Sequence, residues 1–276
     1  MKGLRKRSLL LVCAASLGWC VRLGAEGSVI GFKDPPARPI VEAPYTDAQI
    51  ADLIATLDSL LEHETDAAQW DEAAAPHLWM FVERLQNGTL TGPQEARIEA
   101  YLDEIARQHP DAAGVVAKYR RVVSRLTVGK VAPEITGKDL DGQEFRLSDY
   151  RGRVVVLEFS GDWCGACRLE YPYQKLLIDL YKDRPLTILS VDSDKNPQIA
   201  KQAKADRGLT YRSWWDGEGD KSTHGPIASA WAITGWPTTY LIDEEGVIRF
   251  VNLRQEDMLK GVKQLMGELA TKNASK

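Results

Sequence analysis

The sequence predicts an α/β domain with a mixed sheet, preceded by a small all-helical domain and an N-terminal signal segment. Three observations carry this prediction. Apolar residues repeat at helical spacing within residues 45–126. Beyond Val128 the period changes to short β-type runs separated by turns and helical stretches. One of these runs, 154–159, leads into the motif Trp163-Cys164-Gly165-Ala166-Cys167, which places two thiols at the start of a predicted helix.

Residues 1–25 have the pattern of a secretory signal peptide. A short apolar run at 8–17 follows four basic residues, Lys2, Arg5, Lys6 and Arg7. The run is too short, and too soon followed by Arg22, to favour a spanning helix of about 20 apolar residues. We therefore expect an exported, periplasmic protein, with an uncleaved membrane anchor as the alternative. A lipoprotein centred on Cys20 is disfavoured because bulky Trp19 precedes it.

Composition excludes several classes of function. The apolar fraction of 44% is ample for a buried core. The formal net charge is −4, and loss of the five basic residues in 1–25 would take it to −9. Basic residues are scattered, so no nucleic-acid partner is predicted. No phosphate-binding glycine loop follows a strand, and one cysteine pair is only half of a zinc site, so neither a cofactor nor a metal is predicted.

The segment 26–44 contains four prolines and few large apolar residues, which predicts an extended linker. Residues 45–127 are then predicted to form an antiparallel bundle of four helices. Thr46 and Gln49 have the spacing of a capping box. The first helix follows them, and its apolar positions are Ile50, Leu53, Ile54, Leu57, Leu60 and Leu61. The sequence does not indicate what this domain does.

Residues 128–276 are predicted to hold the α/β domain. Strands are predicted at 145–147, 154–159, 186–191, 238–242 and 247–251, and helices at 164–181, 197–207, 227–231 and 256–269. Glu245-Gly246 predicts a tight hairpin turn between the last two strands. This order of elements, a strand, a helix, a strand and a closing hairpin, predicts a mixed sheet flanked by helices.

Cys164 and Cys167 are the predicted reacting pair. Cys13 and Cys20 lie in the signal segment, so processing would leave these two thiols as each other's only partner within the chain. A thiolate attacks a disulfide, and backbone N–H groups of a first helical turn would stabilise the Cys164 anion. Cys167, one turn inward, would be shielded until a mixed disulfide forms. We therefore expect Cys164 to attack and Cys167 to resolve.

Two carboxyl groups lie near this pair in sequence. Glu158 interrupts the apolar run at 154–159; if buried, it would have a raised pKa and could accept the Cys167 proton. A solvent-facing Glu158 on an edge strand is the alternative. Glu170, three residues beyond Cys167, would add a second carboxyl below the sulfurs, or else be a solvated helix residue.

A proline at the start of a predicted strand is the last candidate. Pro237 follows Trp236, and a cis bond there would turn the preceding backbone toward Cys164, where an extended substrate peptide could pair with it. Trp163, Trp236 and Thr238 are the predicted substrate-binding residues. Trp214, Trp215 and Trp231, together with Trp236, would frame a substrate groove, or else most of them would be core or rim packing.

These motifs resemble the thioredoxin superfamily, and most closely its exported TlpA/ResA-like members in the redoxin branch. The matching segments are 128–133, 141–143, 147–149, 163–167, 236–238 and 241–246. The resemblance implies a thioredoxin fold with Cys164 as nucleophile, Cys167 as resolving cysteine, a cis Pro237, a buried acid at Glu158 and an active-site glutamate at Glu170. Two departures stand out. Ala166 replaces a proline common between the cysteines, and Ser190 falls near the place of a lysine that many thioredoxins pair with the buried acid.

The resemblance implies a thiol–disulfide oxidoreductase that reduces protein disulfides, with a membrane or periplasmic electron donor. A peroxiredoxin-like thiol peroxidase is one alternative, but Leu157 and Gly161 stand where that family has the proline and threonine of its peroxide pocket. A docking protein, in which the helical domain localises the redox domain, is the other alternative.

Overall fold

The structure of this chain is a computed structural model that describes residues 11–14, 19–22, 44–62, 70–86, 88–217 and 225–275. Within the first 39 residues, strands β1 (Leu11–Ala14) and β2 (Trp19–Arg22) pair antiparallel. The rest of the predicted signal segment and residues 26–43 of the predicted linker lie outside the described residues. In the part of the chain that is described, no helix combines the length and the apolar character needed to cross a membrane.

Four helices follow, as predicted. They are α1 (Asp47–Glu62), α2 (Trp70–Gln86), α3 (Gly92–Gln108) and α4 (Ala113–Arg125). The predicted capping box is present at α1, where Thr46 N–H donates to Gln49 Oε1 at 2.8 Å and Gln49 N–H donates to Thr46 Oγ1 at 3.2 Å. A second box, with Thr91 and Gln94, starts α3. Such boxes satisfy backbone N–H groups that have no partner within the helix.

The helix ends show that the bundle is antiparallel. Gln94, in the first turn of α3, donates to the carbonyl of Tyr45, just before α1, at 2.9 Å. The Tyr45 hydroxyl donates to the carbonyl of Arg84 in the last turn of α2. Gln86, the last residue of α2, donates to the carbonyl of Leu126, directly after α4, at 3.2 Å. The starts of α1 and α3 therefore meet the ends of α2 and α4.

The second half of the chain forms a five-stranded mixed sheet in the order β7-β6-β5-β8-β9. Its strands are β5 (Val154–Ser160), β6 (Leu186–Asp192), β7 (Arg212–Trp215), β8 (Thr238–Ile242) and β9 (Ile248–Val251). A separate hairpin pairs β3 (Thr136–Lys138) with β4 (Glu144–Arg146). β6 and β7 run parallel to β5, whereas β8 is antiparallel to it, so β5 is a central strand.

In the described residues, five α-helices accompany this sheet: α5 (Gly165–Arg168), α6 (Tyr171–Tyr181), α7 (Pro197–Arg207), α8 (Pro226–Ala230) and α9 (Gln255–Ala274). The single helix predicted at 164–181 is wrong, because it is broken between α5 and α6. Pro172 has no N–H to bond back to the preceding turn, and its ring would collide with that turn's carbonyl. Strands β3 and β7 were not predicted, since they are three and four residues long and lack a clear apolar alternation.

Alternate residues of β5 face two apolar layers. Val155, Leu157 and Phe159 belong to a buried cluster that includes Leu57, Leu85, Leu102 and Val123 of the four N-terminal helices. Val154 and Val156 belong to a second cluster with residues of α6 and α9. The N-terminal helices therefore cover one face of the sheet and share its core. The division of the chain into domains at residue 127 stays a prediction.

Candidate active site

Cys164 and Cys167 form a disulfide, with their Cα atoms 5.2 Å apart. Cys164 is the residue before α5, and its Sγ accepts a hydrogen bond from the Cys167 backbone N–H at 3.1 Å. Cys164 is 6% exposed and Cys167 is 0% exposed. The predicted order of accessibility is thus present, although Cys164 is more deeply buried in the disulfide form than we expected.

The loop that brings β5 to Cys164 is held by side chains from the segment after β6. The carboxylate of Asp194, which is buried, accepts the Asp162 N–H at 3.0 Å, and the indole Nε1 of Trp163 donates to Ser193 Oγ at 3.1 Å. Gly161 makes this packing possible. A Cβ there would lie 2.5 Å from Nε1 of Trp163, closer than non-bonded atoms approach.

The peptide bond between Trp236 and Pro237 is cis, as predicted. The rings of Trp236 and Trp163 meet edge to face with centroids 6.0 Å apart, which places the proline loop beside the cysteine loop. Thr238 Oγ1 donates to the carbonyl of Gly235 at 2.9 Å, so its side chain closes the turn of this loop. The residues predicted to bind substrate therefore lie together next to the disulfide.

Glu158 is buried at the centre of the sheet, 1% exposed, opposite Ser190 on β6 and Thr239 on β8. This burial rules out the alternative of a solvent-facing edge residue. Burial raises the pKa of Glu158 to about 8, the Arg254 guanidinium lowers it, and the Glu170 carboxyl raises it further. The side-chain amide of Gln174 donates to Glu158 Oε2. A carboxyl group with this pKa exchanges a proton near neutral pH.

Glu170 lies just before α6 and is 3% exposed, so it is not a solvated helix residue. Its Oε2 accepts the Gln255 backbone N–H at 2.9 Å. Burial raises the pKa of Glu170, and this N–H together with Arg254 lowers it. The two predicted carboxyl groups therefore belong to one electrostatic cluster.

Two cations of this cluster were not singled out by sequence. Arg254, in the turn between β9 and α9, donates to the carbonyl of Pro237 and to Thr239 Oγ1. Lys204, on α7, donates to Ser213 Oγ, and its ammonium lies 3.8 Å from the centroid of the Tyr211 ring. Burial lowers the pKa of Lys204 to about 7, while Asp192 and Glu158 raise it. The positive charges near the buried acid are thus supplied by α7 and by the turn after β9, rather than by a lysine at the position of Ser190.

Two of the tryptophans predicted to frame a groove or lie in the core belong to the core. Trp214 is 0% exposed and stacks on Phe145 with centroids 3.9 Å apart. Trp231 is 1% exposed and contacts Phe159 at 5.5 Å between centroids. Neither is available to frame a substrate groove.

This arrangement can exchange disulfides. Nucleophilic attack requires an accessible sulfur, and the more accessible sulfur lies at a helix start. Resolution requires a second sulfur, which is shielded one turn inward. Proton transfer requires a base, and the buried acid titrates near neutrality. The sheet order, the Cys-x-x-Cys disulfide and the opposing cis-proline define a thiol–disulfide oxidoreductase of the thioredoxin fold.

Comparisons with known proteins support this class. The AhpC/TSA family matches residues 128–251. The thiol-disulfide oxidoreductase ResA of Geobacillus kaustophilus is 37% identical over 125 residues, which cover 45% of this chain and 68% of that protein. ResA of Geobacillus thermodenitrificans is 33% identical over 136 residues, covering 49% and 74%. The chain belongs to the TlpA/ResA-like family of the thioredoxin superfamily.

Among solved structures, the thioredoxin domain of a thiol-disulfide oxidoreductase from Bacteroides vulgatus is 30% identical. The match covers 51% of this chain and 98% of the chain of that structure, with a TM-score of 0.46.

Proposed function

We propose that this oxidoreductase is exported and reduces disulfides in proteins outside the cytoplasm, such as the cysteine pairs that await haem attachment. The observation that carries the proposal is the Cys164–Cys167 disulfide in a loop that lies beside the cis-Pro237 loop. Export is supported by the signal pattern of residues 1–25, and the reducing direction by the resemblance to ResA. Electrons would come from a membrane or periplasmic dithiol donor.

In the reaction we propose, the Cys164 thiolate attacks one sulfur of the substrate disulfide. The new bond joins Cys164 to the substrate, and the first substrate thiolate leaves. Glu158 then accepts the Cys167 proton, directly or through a water, and the Cys167 thiolate attacks Cys164 Sγ. The second substrate thiolate leaves, so the substrate gains two electrons while the enzyme pair becomes a disulfide. Pro237 would present the Trp236 backbone to the substrate, and Glu170 would adjust the charge around Glu158.

The direction of electron flow is tested by equilibrating the protein with defined ratios of reduced and oxidised glutathione. A reductase should have a potential near that of thioredoxin, about −270 mV. A potential near that of DsbA, about −120 mV, would contradict the reducing role. Alkylation of the free thiols followed by mass measurement gives the oxidised fraction directly.

The roles of the two cysteines are separated by matched serine variants. Cys164→Ser should abolish reduction of insulin, whereas Cys167→Ser should accumulate a mixed disulfide with the substrate. Retention of insulin reduction by both variants would contradict the assignment. The trapped partner of Cys167→Ser in an extract from the native cells identifies the physiological substrate.

Export is tested by the N-terminus of the protein recovered from cells. Cleavage near Ala25 and recovery with the periplasmic fraction are expected. An intact N-terminus in the cytoplasmic fraction would contradict export while leaving the disulfide chemistry unaffected.

The peroxidase alternative is tested by peroxide consumption. Gly161 stands where peroxiredoxins have a threonine, and even a Cβ at this position would collide with Trp163. We therefore expect peroxide turnover far below the rate of disulfide reduction. Faster consumption of hydrogen peroxide than of a protein disulfide would favour the peroxidase.

A further inference from the structure

A groove of about 330 Å³ separates helix α2 from the cis-proline loop. Its first wall is formed by Trp79, Val82 and Glu83 of α2, and its second wall by Trp236 and Pro237. We call this the α2 groove. It exists only because the N-terminal helices pack beside the redox site, so the sheet and its flanking helices alone would lack one wall.

The two walls are fixed relative to each other. Lys118 and Arg121 of α4 donate hydrogen bonds to the carbonyls of Ile233 and Ser229, at 3.2 and 3.1 Å, in the segment that leads to the cis-proline. The Val128 N–H donates to the carbonyl of Gln86 at the end of α2, at 3.4 Å. A groove held in this way is formed before any ligand binds, which lowers the entropic cost of binding.

The α2 groove lies beside the loop that carries the reacting cysteine. Trp236 lines it, and the Trp236 ring contacts that of Trp163, the residue before Cys164. Within the described part of the chain, the backbone N–H and carbonyl of Trp236 make no hydrogen bond. These two groups can therefore pair with the main chain of an extended peptide, whose side chains would then enter the groove.

The chemistry of the first wall indicates which side chain fits. Trp79 is 40% exposed, and it lines a groove whose other lining residues include the polar side chains of Glu83, Gln86 and Arg254. Its indole ring therefore offers an apolar contact within a groove that is otherwise largely polar. Aromatic side chains that become covered on binding provide much of the binding energy of protein interfaces. An aromatic or bulky aliphatic side chain would cover Trp79 and pack against Trp236.

We propose that the α2 groove binds the segment of a protein substrate that flanks its reacting cysteine, and that Trp79 selects a bulky apolar side chain there. This inference rests on the proposed disulfide reduction and assigns the helical domain a direct part in substrate choice. The occupant is an extended segment of the protein substrate, bound through its main chain at Trp236 and through one apolar side chain at Trp79.

The test uses two peptides, each with one cysteine in a mixed disulfide with thionitrobenzoate. The two peptides of a pair differ only in carrying Phe or Ser close to the cysteine. A short series of such pairs places this residue one, two or three positions from the cysteine, on either side. The full-length wild-type enzyme should reduce the best Phe peptide about 10-fold faster, in kcat/KM, than its Ser counterpart, as expected for one interface anchor. Trp79→Ala should reduce this ratio to about 1.

The matched control is Met80→Ala. Met80 follows Trp79 on α2 and is 42% exposed, but it does not line the groove, so this variant should keep the Phe preference. Met80→Ala should reduce hydroxyethyl disulfide, which is too small to reach α2, at the wild-type rate. Failure of the wild-type enzyme on hydroxyethyl disulfide would contradict the proposed function itself. The wild-type enzyme could instead reduce hydroxyethyl disulfide normally but show no preference for the Phe peptide, or a preference that survives Trp79→Ala. Either result would overturn only the role of the groove.

A second measurement keeps Trp79 in place. In the mixed disulfide of Cys167→Ser with the Phe peptide, Trp79 should be protected from hydroxyl-radical oxidation relative to the free protein, whereas Met80 should not. Equal oxidation of Trp79 with and without the peptide would overturn the proposal even if Trp79→Ala failed to fold.

Discussion

Arg254 donates a hydrogen bond to the carbonyl oxygen of Pro237, and so links the strand β9 side of the sheet to the cis-proline loop. The same guanidinium donates to Thr239 Oγ1 at 2.7 Å. Burial lowers the pKa of Arg254, and the carboxyl groups of Glu158, Glu170 and Glu83 raise it. One arginine thus fixes the loop that faces the substrate and supplies positive charge to the buried acids.

We predict that Arg254→Gln raises KM for a protein disulfide and shifts the pH dependence of resolution to higher pH. The loop loses a donor to the Pro237 carbonyl, and Glu158 loses a charge that lowers its pKa. A charge-assisted hydrogen bond of this kind is worth about 1.5–3 kcal/mol. The control is Arg249→Gln on β9, because Arg249 pairs with Asp243 and Glu268, away from Pro237. Equal effects of the two variants on the pH profile would contradict a specific role for Arg254.

We predict that Glu158→Gln slows the resolving step and removes its rise with pH. With a pKa of about 8, Glu158 is mostly protonated at pH 7 and becomes a competent base as the pH increases. Loss of a general base costs typically about 100-fold or more. Stopped-flow release of the second product from a preformed mixed disulfide, between pH 6 and 9, measures this step. A rate that still rises through pH 8 in Glu158→Gln would assign the proton transfer to another group.

The same substitution has a predicted effect on stability, with a definite sign. The folded-state pKa of Glu158 is about 8, against an ordinary value of 4.5. Between these values the folded protein binds more protons at this carboxyl than the unfolded chain, so its contribution to the free energy of unfolding falls as the pH rises. Glu158→Gln should therefore be more stable than the wild type above pH 8. Urea unfolding of both proteins from pH 5 to 9 gives the difference curve, and a difference independent of pH would contradict the raised pKa.

We predict that Gly161→Ala displaces Trp163 and slows the attack by Cys164. The added Cβ would lie 2.5 Å from Trp163 Nε1 and 3.0 Å from Ser193 Oγ, so the hydrogen bond between these two side chains must break. Overpacking of this kind costs about 1–3 kcal/mol. The near-ultraviolet circular dichroism should change together with the attack rate. Gly114→Ala on α4, where a Cβ meets nothing within 4 Å, is the control and should change neither.

We predict that Thr91→Ala destabilises the protein by about 1 kcal/mol, as the loss of an N-cap does. Thr91 Oγ1 accepts the Gln94 N–H, and the Thr91 N–H donates to Gln94 Oε1 at 3.0 Å. Gln94 in turn donates to the Tyr45 carbonyl, so the cap also joins α3 to α1. Thr56→Ala, within α1, removes only a hydrogen bond to the Asp52 carbonyl and should be neutral or slightly stabilising. Urea denaturation followed by far-ultraviolet circular dichroism measures both.

The parts of the site that could be predicted from the sequence carry local signals. Three signals each occupy a few neighbouring residues: the Cys-x-x-Cys spacing, the Trp-Pro pair before a strand, and a carboxyl within an apolar run. The structure places all three together, with the cis bond and the burial of Glu158 as expected. The capping signal at Thr46 likewise depends on only four residues.

Arg254 and Lys204 could not be found in this way. In the sequence, Lys204 is one of several charged residues of a polar helix, and Arg254 lies in a turn. Their burial arises only when α7 and the β9 end pack against the acid from different sides. The short strands β3 and β7 were missed for a related reason, since their pairing depends on distant partners rather than on their own composition.

The buried apolar cluster that runs from α1–α4 into the β5 face has a further consequence for how the molecule unfolds. Because Leu57, Leu85 and Val123 share that cluster with Leu157 and Phe159, neither half can lose its structure without exposing the core of the other. Helices α1–α4 and the sheet with its flanking helices should therefore melt in a single calorimetric transition. A substitution that destabilises the N-terminal helices should therefore lower the stability of the disulfide site by the same free energy, because the two unfold together.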